Sequence, residues 1–201
     1  MTLFEWNVVV VGAWNPAILT PAGIAQRIFE LPTTTPIQVL VPIDGRAPTK
    51  VIHAGLEVMA SAEQLIVSPS ECSPAALQNA GAAAARAIKT LPITPFTAAG
   101  INVRTRYERL PSVLLDGLDS TLDNVLGERY KLESRALQRA IEWDTGTLNL
   151  RVEGQDGGGT IQVNFHLQSS DEAALRTWLC RAGEFANAST QLIAELGVGD
   201  E

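Results

Sequence analysis

The chain has 201 residues, of which 46% are apolar, and its formal net charge is −7. It is long enough to bury a core without disulfides or metals. Its acidic balance argues against non-specific binding to nucleic acid or anionic membranes. No apolar run approaches the roughly 18 residues of a membrane span. Glu5 precedes the first apolar run, which does not fit a signal peptide, so we expect a cytoplasmic protein.

The first half of the chain, residues 1–91, predicts a strand, a helix, three strands and a second helix. The apolar run Val8–Val11 is typical of a strand buried on both faces. Thr20 and Pro21 form an N-cap and a first helical residue. The predicted strands are Val8–Val11, Ile37–Val41, Val51–Ala60 and Gln64–Val67, with a turn at Pro42–Gly45, and the predicted helices are Pro21–Phe29 and Pro74–Thr90. Small residues such as Gly81 on the second helix indicate close backbone approach to its neighbours.

The second half, residues 92–201, repeats the same order of elements. The stretch Leu91–Glu108 supplies its first predicted strand, and the other predicted strands are Tyr130–Trp143, Leu148–Val152 and Ile161–Leu167. Its predicted helices are Pro111–Gly127 and a long final helix that Ser170 and Asp171 cap. The spacing of Leu132, Ala136 and Ala140 also fits a helix. We favour a strand there because Asp144-Thr145-Gly146 is typical of a hairpin turn. A second hairpin turn is predicted at Gln155–Gly159.

Two β-α-β-β-β-α halves predict a pseudo-duplicated α+β fold in one compact unit. Local echoes support the repeat, such as Ser73–Leu77 against Asp171–Leu175. The order of elements resembles the saddle of the TATA-box-binding-protein fold, at the level of architecture only. That resemblance implies an antiparallel sheet with helices on one face. No motif of the family is present, and the acidic balance is wrong for its DNA-binding role.

A polar face is the main candidate site. We predict that alternate residues of the second-half strands form a lattice of arginine and amide side chains that could receive an anionic ligand or an acidic partner. The candidate ligand-binding residues are Arg104, Arg106, Arg135, Arg139, Arg151 and His166. The alternative is an ordinary solvated face of a sheet that is buried on one side only.

No motif predicts a catalytic residue, a cofactor or a metal. His53 and His166 lack other ligands at metal-binding spacing, and Gly154–Gly159 joins two strands instead of opening a phosphate-binding helix. Cys72 and Cys180 lie far apart in the sequence and are expected to be reduced structural thiols.

We therefore expect a non-enzymatic binding or assembly module. The first-half strands are apolar on consecutive positions, whereas the two helices of that half can cover only one face. A second copy of the chain is the expected cover for the other face, which predicts a homodimer. The alternative function is a small-molecule-binding protein or enzyme with a pocket between the sheet and the C-terminal helix.

Overall fold

A computed structural model describes residues 2–43, 48–155 and 158–197. In this part of the chain, nine strands and six helices follow one another in this order: β1 (Thr2–Gly12), α1 (Pro21–Arg27), β2 (Gln38–Leu40), β3 (Lys50–His53), β4 (Leu56–Ala60), β5 (Gln64–Pro69), α2 (Pro74–Thr90), β6 (Phe96–Tyr107), α3 (Ser112–Leu118), α4 (Thr121–Gly127), β7 (Arg135–Trp143), β8 (Gly146–Gln155), β9 (Gly158–Gln168), α5 (Glu172–Leu179) and α6 (Ala182–Glu195). The predicted α+β class is confirmed.

All nine strands belong to one antiparallel sheet, in the order β2-β3-β4-β5-β1-β6-β9-β8-β7. The long central strands β1 and β6 pair with each other, so the sheet runs through both halves of the sequence. One row of directly paired, buried side chains crosses seven neighbouring strands from β3 to β8: Val51, Val58, Val67, Val8, Ile101, Phe165 and Leu148. This row marks the core face of the sheet.

The helices cover that core face. α2 packs on β1 and β5, while α5 and α6 pack on β6 and on α2. The ring of Phe185 in α6 stacks on Phe165 in β9 with 4.6 Å between the ring centroids. Gly81 of α2 lies so close to α5 that an added Cβ would be 2.2 Å from the carbonyl oxygen of Leu179. The close backbone approach predicted from the small residues of α2 is therefore present.

The predicted single strand Val51–Ala60 is wrong, because the structure divides it into the hairpin of β3 and β4. Ala54 and Gly55 form the turn, with φ values of 48° and 74°. A two-residue hairpin turn requires positive φ at its central positions. Alanine is uncommon in that conformation, which explains why the sequence reads as one continuous strand.

Two predicted helices are also divided. The segment Pro111–Gly127 forms α3 and α4, because Asp119 is extended and the side chain of Ser120 caps α4 by accepting a hydrogen bond from the backbone of Asp123. A continuous helix would place Leu122 and Val125 on the same inward face as Leu114 and Leu118, but they are 63% and 62% exposed. The long final helix is interrupted between α5 and α6.

The segment Tyr130–Trp143, whose spacing also fits a helix, contains a strand as predicted, and β7 begins at Arg135. The exact repeat of β-α-β-β-β-α is not confirmed: five strands and two helices come from the first half, and four strands and four helices from the second. Parts of the predicted turns Pro42–Gly45 and Gln155–Gly159 lie outside the described residues. No helix in the described ranges is long and apolar enough to cross a membrane.

Candidate functional site

The face of the sheet opposite the helices is the open face. Because residues paired across neighbouring strands point to the same side, the strand registers define its members. In the second half and on β1 it carries mainly polar side chains: Glu5, Asn7, Asn102, Arg104, Arg106, Gln138, Glu142, Thr147, Asn149, Arg151, Glu153, Thr160, Gln162, Asn164, His166 and Gln168.

Four asparagines form a hydrogen-bonded ladder across β8, β9, β6 and β1. The amide nitrogen of Asn149 donates to the side-chain oxygen of Asn164 (3.1 Å), Asn164 donates to Asn102 (2.9 Å), and Asn102 donates to Asn7 (2.8 Å). Asn7 donates in turn to the carboxylate of Glu5 (3.1 Å). We call these five side chains the asparagine ladder.

The carboxylate of Glu5 sets the direction of the asparagine ladder. A row of amides can form its hydrogen bonds in either direction, because each amide has both a donor and an acceptor. A carboxylate accepts only, so Asn7 must turn its NH₂ group toward Glu5, and every amide behind it follows. All four asparagines are half-buried. The asparagine ladder therefore satisfies much of the polar surface of the second half without a ligand.

Three of the predicted arginines lie on the open face, but two of them have acidic neighbours. Nε of Arg151 is 2.9 Å from the carboxylate of Glu153, and Arg104 lies 3.9 Å from Glu5. Arg106 is exposed and forms no ion pair with the described residues. These acidic groups neutralise much of the positive charge, so the open face is weaker as an anion site than its arginine content suggests.

The prediction that Arg135 and Arg139 share this face is wrong. Arg139 pairs with the buried Leu150, and Leu137 between them pairs with the buried Val152, so the odd-numbered residues of β7 face the helices. Arg135 forms ion pairs with Asp119 (2.7 Å) and Asp123 (3.0 Å) around α4. These ion pairs connect α4 to the start of β7, so Arg135 lies away from the arginines of the open face.

His166 lies on the open face beside the asparagine ladder, and its Nε2 is 3.3 Å from the side-chain oxygen of Gln168. Arg106 lines a separate polar cleft of about 590 Å³ at the end of β6, together with Ser134, Glu153 and Thr160. The structure thus does not bring all six predicted residues to one site. Arg104, Arg151 and His166 lie around the ladder, Arg106 faces the cleft, and Arg135 and Arg139 lie on the other side of the sheet.

The open face of the first half carries a row of apolar side chains among polar ones. Val9, Ile66 and Met59 are directly paired across β1, β5 and β4, and Val11 lies beside them with 38% of its surface exposed. On the other flank Val11 pairs with Ala98 of β6. We call these five residues the apolar strip. The helices pack on the opposite face, so Val9, Met59, Ile66 and Val11 stay partly or largely exposed, whereas Ala98 at the end of the strip is buried. This is the surface for which the sequence predicts an external cover.

The space between the sheet and the C-terminal helices is filled by aromatic side chains. Trp178 packs against Phe185 with 4.6 Å between centroids, and both residues are almost fully buried. Among the described residues, no group of three or more histidine, cysteine or acidic side chains is placed to hold a metal. Both cysteines are free thiols. Burial raises the pKa of Cys72, and a hydrogen bond from the backbone of Trp6 opposes that effect only in part.

These features define a class: an α+β protein in which the described residues form one nine-stranded antiparallel sheet with helices on one face only. Comparison with known proteins takes the identification no further, because the chain matches no family model, no curated protein and no solved structure.

Proposed function

We propose that the chain is a non-enzymatic, cytoplasmic assembly module that forms homo-oligomers through the apolar strip of its open face. The observation that carries this proposal is the row of partly exposed apolar side chains Met59, Ile66 and Val9, continued by the exposed Val11; Ala98, at the end of the strip, is already buried. Water contact with such a row is unfavourable by about 25 cal/mol per Å² of apolar surface. A partner that buries it gains this free energy.

A second copy of the chain is the proposed partner. Two apolar strips that meet across a two-fold axis bury the same surface on both chains, as the commonest homodimers do. Polar residues border the strip on both sides, with Lys50 and Glu57 in an ion pair at 2.8 Å and Asn7 of the asparagine ladder next to Val9. An apolar centre with a polar rim is the usual arrangement of a protein interface.

The two halves of the chain are further proposed to be related repeats in one compact unit. The sheet order supports this idea, because the first strands of the two halves, β1 and β6, meet in the centre. The last strands of the halves, β5 and β9, lie directly outside them. An assembly function would then belong mainly to the first half, whose open face carries most of the apolar strip, while the open face of the second half is polar.

The test is a single charge in the centre of the strip. Ile66→Glu should give a folded protein with a smaller mass in analytical ultracentrifugation than the wild type, because a carboxylate cannot be buried there without a partner. Gln162→Glu, which adds the same charge between Arg104 and Arg151 on the polar part of the open face, is the matched control and should leave the mass unchanged. Equal masses for wild type and Ile66→Glu, with circular dichroism unchanged, would contradict the proposal.

A small anionic ligand at the Arg106 cleft is the second candidate function. It is favoured by one observation: Arg106 lines the cleft and has no ion pair among the described residues. Inorganic phosphate and nucleotides, titrated at low salt, should then bind to the wild type but not to Arg106→Gln. Arg139→Gln serves as the control, since Arg139 is an exposed arginine on the other side of the sheet, away from the cleft. Flat titrations with the wild type would leave only a solvated cleft.

A further inference from the structure

The two edges of the sheet differ sharply. β2 has only three residues and lies between Pro36 and Pro42, which limits further pairing at that edge. At the opposite edge, β7 has nine residues that pair with β8 in unbroken register, without proline, glycine or bulge. Its outer side presents a long row of backbone N–H and C=O groups that no described strand pairs with. Such an edge is a template for an additional strand.

The flank beside this edge also lacks cover. α4 has no buried residue, and Leu122 and Val125 are 63% and 62% exposed. Ile141, on the helix side of β7, is 41% exposed. The ion pairs of Arg135 hold α4 at the start of β7, whereas Ile141 lies near the end of the strand. Uncovered apolar groups therefore lie at both ends of one edge strand.

We propose that β7 is a second interface, at which it pairs antiparallel with β7 of another copy of this chain. A two-fold axis perpendicular to the sheet and through the middle of β7 places the start of one strand beside the end of the other. α4, which Arg135 holds at the start of β7, then lies beside the last residues of its partner's strand, on the side of the sheet that carries Ile141. A second copy fits because both ends of β7 carry exposed apolar groups on this side, and the two-fold axis brings the unlike ends together.

The side chains of β7 favour one register. An axis at Arg139 would set two arginines directly opposite each other, which is unfavourable. An axis at Ala140 pairs two small residues at the centre. On the helix side it sets Leu137 opposite Trp143, and on the open face Gln138 opposite Glu142. These are an apolar pair and a hydrogen-bonding pair, both of which stabilise antiparallel sheets. We therefore assign the axis to Ala140.

Disulfide formation tests the register. In a Cys180→Ser background, which removes the exposed native thiol, Ala140→Cys should form a covalent dimer on mild oxidation, because each residue faces its own copy. Gln138→Cys is the control, since its two copies would be offset by four residues, roughly 13 Å along the strands. On its own, Gln138→Cys should form no covalent dimer, whereas a mixture of Gln138→Cys and Glu142→Cys should cross-link. Absence of the Ala140→Cys dimer, or equal cross-linking by Gln138→Cys alone, overturns the proposal.

Masses in solution separate this interface from the apolar strip. Two different two-fold interfaces in one chain lead to tetramers or open chains of molecules. Ile141→Lys, a charge typical of protected edges, should remove the β7 contact and leave dimers held by the strip. Ile66→Glu should leave dimers held by β7, and the double variant should be a monomer. If Ile66→Glu alone is monomeric, the β7 interface is refuted while the strip stands. If Ile141→Lys alone is monomeric, the strip is refuted instead.

Hydrogen exchange distinguishes a second copy from another occupant of the edge. In the Ile66→Glu variant, the outward-facing amides of β7 should exchange more slowly as protein concentration rises, because pairing follows mass action. Exchange that is the same at low and high concentration refutes self-pairing, even if an added extended peptide slows it.

Discussion

The asparagine ladder allows a quantitative test of how the open face is held. Asn102 takes part in two of its hydrogen bonds, to Asn164 and to Asn7. A net contribution of about 1 kcal/mol for each bond predicts that Asn102→Ala lowers the free energy of unfolding by about 2 kcal/mol. Asn149 makes one bond, to Asn164, so Asn149→Ala should cost about 1 kcal/mol.

Double variants show whether the amides act as a connected row. Asn7→Ala alone removes two bonds, to Asn102 and Glu5. Combined with Asn102→Ala it removes three in total, since one bond is shared, so the pair should cost about 1 kcal/mol less than the sum of the single variants. Asn7→Ala with Asn149→Ala shares no bond and should be additive. The assay is urea unfolding at one fixed protein concentration, because any self-association contributes to stability. Additivity of the Asn7 and Asn102 variants would refute the ladder.

Three further predictions concern packing, thiol chemistry and the α4 contact. Gly81→Ala should destabilise the protein by roughly 1–3 kcal/mol, because the added Cβ would clash with α5. Gly127→Ala should stabilise α4 by up to about 1 kcal/mol, because nothing lies within 4 Å of the new Cβ. Equal effects of the two variants in thermal unfolding would contradict this prediction. Cys180 should react with a thiol reagent before Cys72, because Cys180 is exposed and burial raises the pKa of Cys72; mass spectrometry should show one label first. The raised pKa of Cys72 also contributes stability that is present below about pH 9, the ordinary thiol value, and is lost as the pH rises through its folded-state pKa. Arg135→Ala should cost about 0.5–1 kcal/mol and speed amide exchange in α4, and unchanged exchange there would contradict the proposed tie.

The strands of the core face could be predicted because burial leaves a period of two in the sequence. Leu148, Leu150 and Val152 alternate with polar residues, and all three are buried under the helices. Helix breaks were harder to predict, because they depend on single residues. Ser120 caps α4 and interrupts the predicted helix, yet serine within an apolar spacing is equally compatible with a continuous helix.

The wrong face for Arg135 and Arg139 had a signal in the sequence. The turn at Asp144 and Thr145 was predicted correctly, and a two-residue turn sets Trp143 opposite Gly146. Every odd-numbered residue of β7 must then pair with an even-numbered residue of β8, and the even-numbered residues of β8 are the apolar ones. Register follows from turn length. Alternation within each strand shows which residues share a side of that strand, but only the register between β7 and β8 shows which side of the sheet it is.

The asparagine ladder, by contrast, could not be predicted without the tertiary structure. Asn102, Asn149 and Asn164 are amide side chains at alternate positions of the second-half strands, where a polar face was predicted, but Asn7 lies on a strand of the other half. Its alignment depends on the pairing of β1 with β6, which joins residues 95 positions apart in the chain. No local pattern sets the register of two strands that far apart.

The two parts of the open face differ in what they require from a partner. Polar side chains in the second half satisfy one another: the asparagines donate in one direction toward Glu5, and Glu153 neutralises Arg151. Such a surface gains little when a partner displaces its water, because its hydrogen bonds are already made. The apolar strip differs, because neighbouring valine and isoleucine side chains on one sheet face keep part of their surface exposed to water even when they contact each other. The same reasoning applies to the backbone groups along the outer edge of β7, which only another strand can pair in a regular row. Contact with other chains should therefore concentrate on the strip and the β7 edge, and the polar centre between them should stay wet.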